Sequence, residues 1–292
     1  MVATKIGRKR AMSLFKKLVF IAAMGMALLA GAVQAQELTK HQRAEQRRFA
    51  YNNSLFVLYH EVGHLLFHKL ELPVLGREED AADNVATWTL LRQGTPKADQ
   101  ALKDAARGWI LSGIAYNSGG VEDDYAAAHS LDKQRAYQIV CLMIGMDAAA
   151  FRPVANEYRL DNDRQKSCQL DYDMIDRSLD GLLANRGVGK KHRGTEVLVT
   201  YHNVSGRLKA AADAFKASGV FDQVADELRT RYRVGETVRF NAQRCGEANA
   251  FYDPETVEVI FCYELMQDYM DLYSDNLEQT AVPAPGGKQK NK

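Results

Sequence analysis

Within Tyr59-His60-Glu61-Val62-Gly63-His64, two imidazoles and a carboxylate stand at a spacing suited to metal-assisted hydrolysis. His60 and His64 are four residues apart, so on a helix both rings lie on one face, a turn apart. Two neutral imidazole nitrogens so placed bind Zn²⁺ at about 2.0–2.1 Å. Glu61 follows the first His and reaches a metal-bound water as general base. A catalytic zinc needs a third protein ligand and one open position. The longer form of this motif would put a His six residues after His64 and a Gly three after it, but those positions hold Leu70 and Phe67. The expected third ligand is Glu79. Asp83 lies four residues on, on the same helical face, where its carboxylate accepts the N–H of a ligand imidazole and fixes the tautomer. With Glu78 as ligand the supporting position would hold Ala82, so Glu79 is preferred. His68 continues the four-residue series one turn further and is not counted as a ligand.

The elements that must position these groups read mostly as helices. Leu55, Phe56, Leu58 and Tyr59 before the motif, and Leu65, Leu66 and Phe67 after it, fit one helix, with Pro73 as its stop. Residues 36–53 are polar and predict a helix leading into it. Glu79 opens a second apolar-periodic run, Ala82, Val85, Ala86, Leu90. After the loop Gly94-Thr95-Pro96, a helix is predicted over 98–116, broken at Asn117-Ser-Gly-Gly120. A long helical segment over 124–146 places His129, Asp132 and Arg135 at i, i+3, i+6 spacing. That is the pattern of a solvated face. In the sharper reading His129 or Arg135 faces the metal and supplies the donor for a developing oxyanion. His129 is carried forward in that role, with Tyr125 a weaker candidate.

Beyond residue 146 the pattern is two or three helices, with Pro153 and Gly187-Val-Gly189 as breaks, and then strand-like residues appear. Strands are predicted over 196–204 and 236–240, helices over 207–218 and 221–232, and a final helix over 266–277. Asn249 to Tyr252 and Val257 to Phe261 read as a hairpin about Asp253-Pro-Glu-Thr256. The expected fold is therefore α+β and mainly helical, with a small C-terminal hairpin or sheet region. Residues 36–279 are read as a single domain, helical over 36–193 and mixed α/β over 194–279, followed by a disordered tail over 280–292.

Residues 1–35 read as a signal peptide. Lys5, Arg8, Lys9, Arg10, Lys16 and Lys17 precede an apolar run from Leu18 to Val33, and Val33-Gln34-Ala35 suits a signal-peptidase cut. That run, about 16 residues, is short for a membrane span. The whole chain carries 38 basic and 37 acidic residues; without the six basic residues of the leader, 32 stand against 37, a formal −5. This argues against a nucleic-acid binder. An exported, periplasmic or secreted protein is expected, with no stable membrane insertion once the leader is removed; oligomeric state stays open. Four cysteines in such a protein read as two disulfides. Of the three possible connectivities, Cys141–Cys168 with Cys245–Cys262 is preferred, because folding the hairpin brings Cys245 and Cys262 nearly opposite. No CxxC spacing supports a cysteine metal site.

His60-Glu61-Val62-Gly63-His64 followed by Glu79-x-x-x-Asp83 resembles the gluzincin arrangement of zinc peptidases. More closely, Leu72-Pro-Val-Leu-Gly-Arg-Glu-Glu-Asp-Ala-Ala-Asp83, Cys245-Gly-Glu-Ala-Asn-Ala-Phe-Tyr-Asp-Pro254 and Cys262-Tyr-Glu-Leu265 resemble a bacterial family of uncharacterised domains labelled putative metallopeptidases. The resemblance spans most of the chain after residue 50. It implies a zincin-like core, one zinc ion and a peptide or protein substrate. Asn249-Ala250-Phe251-Tyr252 resembles the edge strand along which such peptidases extend a substrate, and reads equally as a structural hairpin clamped by a disulfide. In familiar zincins the sheet precedes the active helix; here the strand motif follows it. The rival class is a non-catalytic cell-envelope binding scaffold, against which the intact Glu61 speaks.

Overall fold

Lys40–Lys69 forms one helix of 30 residues, α1, and the other elements are arranged about it. The computed structural model describes residues 37–184 and 194–277, so the leader expected over 1–35, the Gly187–Gly189 break and the tail expected over 280–292 lie outside the described residues. The chain divides into two units, residues 1–39 and 40–292. Of the first, only Glu37–Thr39 is described, without regular secondary structure; the described helices and strands all belong to the second. From Asn52 to Gly63 every residue of α1 is buried. A helix enclosed on all sides has no wet face to pattern, which is why its polar residues inside, among them His60 and Glu61, each need a partner.

The polar lead-in expected over 36–53 belongs to this same helix. α2 (Glu78–Gln93) opens with Glu78, Glu79 and Asp80 in its first turn, where the helix dipole favours negative charge, and ends at Gly94 in the left-handed region, φ 59°. Then come α3 (Pro96–Ala115), capped by the Thr95 side chain on the Ala98 N–H at 3.2 Å, the single-turn α4 (Glu122–Ala126), and α5 (Asp132–Met146). The long helix read over 124–146 is thus two helices with a loop between. Residues 127–131 leave the helical path, so His129 and Arg135 do not share a helix face. α6 (Ala148–Glu157) and α7 (Asn162–Leu183) follow. Pro153, expected as a break, sits inside α6, past the first turn, so this short helix continues with one intrahelical hydrogen bond missing.

Four strands form a sheet of order β1-β2-β4-β3, from β1 (Val197–Tyr201), β2 (Val238–Gln243), β3 (Ala250–Asp253) and β4 (Glu258–Cys262). β1, β2 and β4 are parallel; β3 is antiparallel to β4 and occupies an edge. The parallel step from β1 to β2 needs a crossover, supplied by α8 (Lys209–Ser218) and α9 (Val220–Arg231). Their Phe215 and Phe221 pack on the sheet's Phe261 and Phe240, with ring centroids 3.9 Å and 5.1 Å apart. α10 (Tyr263–Asp275) starts directly from β4 and returns to α1. The fold is α+β and mainly helical, with the sheet confined to the C-terminal part.

α1 and α2 approach closely at Gly63. A Cβ there would stand 3.1 Å from Ala82 Cα and 3.4 Å from Val85 Cβ. Gly63 lies between His60 and His64, and Ala82 between Glu79 and Asp83, so this contact sets the distance between the two sets of side chains. Disulfides join Cys141 to Cys168, between α5 and α7, and Cys245 to Cys262, across the entry to the hairpin.

This packing has measurable consequences. Gly63→Val is expected to cost about 1–3 kcal/mol in urea unfolding, as overpacked cores do, because α2 must move away. The second disulfide spans 17 residues. Its removal in a Cys245→Ser/Cys262→Ser variant is expected to cost about 3 kcal/mol. Non-reducing peptide mapping should recover both pairs and no crossed linkage.

Candidate metal centre

Three side chains from α1 and α2 converge on one point. His60 Nε2 lies 3.1 Å from His64 Nε2, and Glu79 Oε2 lies 3.1 Å from the first and 3.3 Å from the second. One turn of α1 sets the spacing of the imidazoles, and the close approach at Gly63 brings the first turn of α2 opposite them. Each imidazole has its other nitrogen engaged. His60 Nδ1 donates to Asp83 Oδ1 at 2.8 Å, and His64 Nδ1 donates to Glu78 Oε1 at 2.7 Å. With the protons held on Nδ1, each ring in its neutral form turns an Nε2 lone pair inward.

Two imidazole lone pairs and a carboxylate oxygen then face one another. Three acceptors at such distances repel unless a positive charge lies among them, and nitrogen with carboxylate oxygen is the donor set that zinc takes. All three ligand atoms lie within 4.8 Å of each other. Among the described residues the other group so clustered is Cys141, Cys168 and Asp171, whose sulfurs are joined in a disulfide.

The electrostatics carry the same deficit of positive charge. Burial pushes the His60 imidazole down, but its hydrogen bonds to Asp83 and Glu79 outweigh this and hold it up at about 9. His64 is raised against its own burial by Glu79. Burial would raise the Glu79 carboxyl; contacts with His129, His60 and His64 instead hold it far below the usual carboxylate range. Asp83, also opposed by burial, is held well down by Arg135 and His60. Glu61 differs: burial pushes its carboxyl up, against the lowering pull of the two imidazoles. Such a shift suits a group that must accept a proton.

Asp83 is itself held from behind. Arg135 Nε donates to Asp83 Oδ2 at 2.7 Å and Arg135 Nη2 to Oδ1 at 2.8 Å. The guanidinium lies over the Trp109 ring, 3.5 Å from its centroid. Arg135 therefore supports His60 through Asp83 and does not join the convergent group. His129 does: its Nε2 is 2.8 Å from Glu79 Oε2, and its ring stacks on His60 at 6.1 Å. It arrives there from the loop before α5, which Arg77 ties down by donating to the His129 carbonyl at 3.3 Å. Tyr125 donates to the Gly119 carbonyl, and His68 pairs with the Tyr252 hydroxyl at 2.9 Å; neither joins the convergent group.

Residues 249–252 reach the site as an edge strand. The Cys262 N–H donates to the Asn249 carbonyl, so Asn249, Phe251 and Asp253 bond to β4 and the alternate residues turn outward. Of the outward N–H groups, that of Ala250 is taken by Asn249 Oδ1 at 2.9 Å, and that of Tyr252 reaches Glu61. The carbonyls of Ala250 and Tyr252 remain along a cleft of about 660 Å³ that also exposes His60, Glu61, His64 and Glu79.

Two supports lie beyond what the sequence suggests. Glu78 is not among the three convergent groups, yet it holds the second imidazole; its adjacency to Glu79 on the first turn of a helix is the available signal. In the sequence Arg135 reads as a candidate oxyanion donor and not as the support of Asp83, and Trp109 carries no signal, because each meets Asp83 or its partner only through the packing of α2, α3 and α5.

The family described as "Putative metallopeptidase" matches residues 22–183 and 201–289, and the chain belongs to it. Membership implies a metal and a peptide substrate. No curated protein and no solved structure matches the chain.

The Asp83–Arg135 pair generates a stability prediction. Both side chains are buried, 6 % and 7 % exposed. Arg135→Met leaves a buried carboxylate without its cation and is expected to cost about 3–5 kcal/mol in chemical denaturation. Adding Asp83→Asn to that variant should recover part of the loss.

Proposed function

We propose that the protein is an exported zinc-dependent peptidase of gluzincin type, with one ion held by His60, His64 and Glu79 and with Glu61 as general base. The observation that carries the reading is the convergence of three acceptor atoms, with their tautomers set by Asp83 and Glu78, directly beside the buried carboxylate of Glu61. Zinc held there would supply Lewis acidity toward a peptide carbonyl and make a water molecule acidic near neutral pH. Every other part of the chemistry belongs to the chain.

Glu61 takes a proton from water and passes it to the leaving nitrogen. Its raised affinity for protons, caused by burial, favours the first transfer, and the N–H of Tyr252 keeps its carboxylate oriented. The outward carbonyls of Ala250 and Tyr252 accept from the N–H groups of an extended substrate laid along β3. His129, half-exposed at the rim, is the group placed to donate toward an oxyanion; without substrate it donates to Glu79. The two disulfides support an oxidising compartment, and with it the reading of residues 1–35 as a leader. Among the described residues no helix is long and apolar enough to cross a membrane.

The test separates metal binding from chemistry. Elemental analysis should find one zinc per chain, and none in His60→Ala/His64→Ala. Glu61→Gln should keep zinc and fold while hydrolysis of a peptide library at neutral pH falls by about 10²–10⁴-fold, the usual share of acid–base help. Glu79→Gln should lose metal affinity and activity together. Asp83→Asn should lose about 10–100-fold in either, as removal of a ligand's support does. Wild-type rates in Glu61→Gln would refute the mechanism. A zinc-loaded protein that cuts no peptide would favour a binding scaffold.

A further inference from the structure

Beside Glu61 a cavity of about 370 Å³ leads inward between α1, α3 and α10. Phe56, Trp109, Leu265 and Leu272 form its apolar walls. Its charges do not balance. Asp132 and Asp268 line it, along with Glu61 and His129. Arg135 also borders it, but that guanidinium is already paired with Asp83 through two hydrogen bonds and covered by Trp109. Asp132 accepts from Ser112 Oγ at 2.7 Å, and Asp268 accepts from the Tyr116 hydroxyl. Neither contact brings a positive charge. Burial pushes both carboxyls up; at Asp132 the Ser112 hydrogen bond and the charges of Arg135 and His129 offset only part of this, and at Asp268 no cation does.

A second observation is independent of the acids. Tyr269 lines the same cavity and is 8 % exposed; what remains open of it faces the cavity, and no residue among those described hydrogen-bonds its hydroxyl. Buried phenols are nearly always partnered, and one left open toward a cavity has its partner in whatever fills that cavity.

We infer that this cavity receives a lysine or arginine side chain of the substrate, its alkyl stem against Phe56, Trp109 and Leu265 and its cationic end drawn by Asp132 and Asp268, with the Tyr269 hydroxyl as acceptor. The inference rests on the proposed peptidase reading, which lays a peptide in the adjoining cleft. An acidic side chain would meet two carboxylates of its own sign. An unbranched apolar one would fill the walls and leave both acids without a cation and the phenol without a partner. Discrimination therefore comes from the polar end of the pocket, where an unpaired group costs most.

The experiment measures binding, so that it does not depend on turnover. Zinc-loaded Glu61→Gln protein, full length, is titrated by calorimetry with end-blocked alanine hexapeptides. Each carries one lysine, arginine, norleucine or glutamate, moved through every position. At one position the lysine and arginine peptides should bind about tenfold or more tightly than norleucine, with glutamate weakest. Asp268→Asn and Asp132→Asn, each checked by circular dichroism, should each remove most of that advantage while leaving the norleucine peptide unchanged. Asp268→Lys should turn the preference toward glutamate. Norleucine or glutamate bound as well as lysine, equal losses for all peptides in the Asp variants, or no binding of any peptide would overturn the inference. Failure of the peptidase reading shows elsewhere, as wild-type zinc-loaded protein that leaves every peptide intact while the lysine selectivity persists.

Discussion

One buried carboxylate, Asp83, ties the molecule together. It accepts from His60 on α1 and from Arg135 on α5, and Arg135 in turn lies on Trp109 of α3. Asp83 itself belongs to α2, so four helices meet through one group. A lone buried carboxylate would be expelled or neutralised. Here a bidentate guanidinium keeps it charged, and the charge fixes the proton of His60 on Nδ1. The orientation of the inner imidazole is therefore a consequence of the ion pair between α2 and α5.

The second constraint is closeness. Two helices whose axes stood further apart could not bring Glu79 within 3.3 Å of both imidazoles. Gly63 removes the side chain that would hold α2 away, and Ala82 presents the smallest surface opposite it. Burial of α1 over a long stretch makes this arrangement rigid, since close-packed interiors do not deform continuously. The first turn of α2 gains in turn: its three acidic residues sit where the helix dipole favours them, and two of them, Glu78 and Glu79, engage His64 and the convergent point.

The sheet contributes at a distance in sequence. β3 is an edge strand because its hairpin partner β4 lies between it and the parallel pair, and the Cys245–Cys262 bridge ties the approach to β3 to the end of β4. An edge left open is normally a liability, blunted or covered. In this protein it borders the cleft over His60 and Glu61. The strand motif follows α1 in sequence, yet the edge still meets His60 and Glu61, because α10 runs straight out of β4 and packs on α1.

What the sequence determined by itself was whatever a single element's geometry dictates. Four-residue spacing on one helix places His60 beside His64, and Glu79 beside Asp83, whatever else the chain does. A hairpin read from alternation and an Asp-Pro-Glu-Thr turn already opposes Cys245 to Cys262. The mainly helical α+β class and the late position of the strands were legible for the same reason, since periodicity is a local property. Only the tertiary structure decided which helices cross and how closely. It separated His129 from α5 and sent it to Glu79 from a loop. It gave Glu78 to His64, placed Arg135 behind Asp83 instead of in the site, and opened a cavity with two acids and an unpartnered phenol beside Glu61. Those relations join residues tens to more than a hundred positions apart, and they depend on volumes and burial that no spacing along one chain encodes.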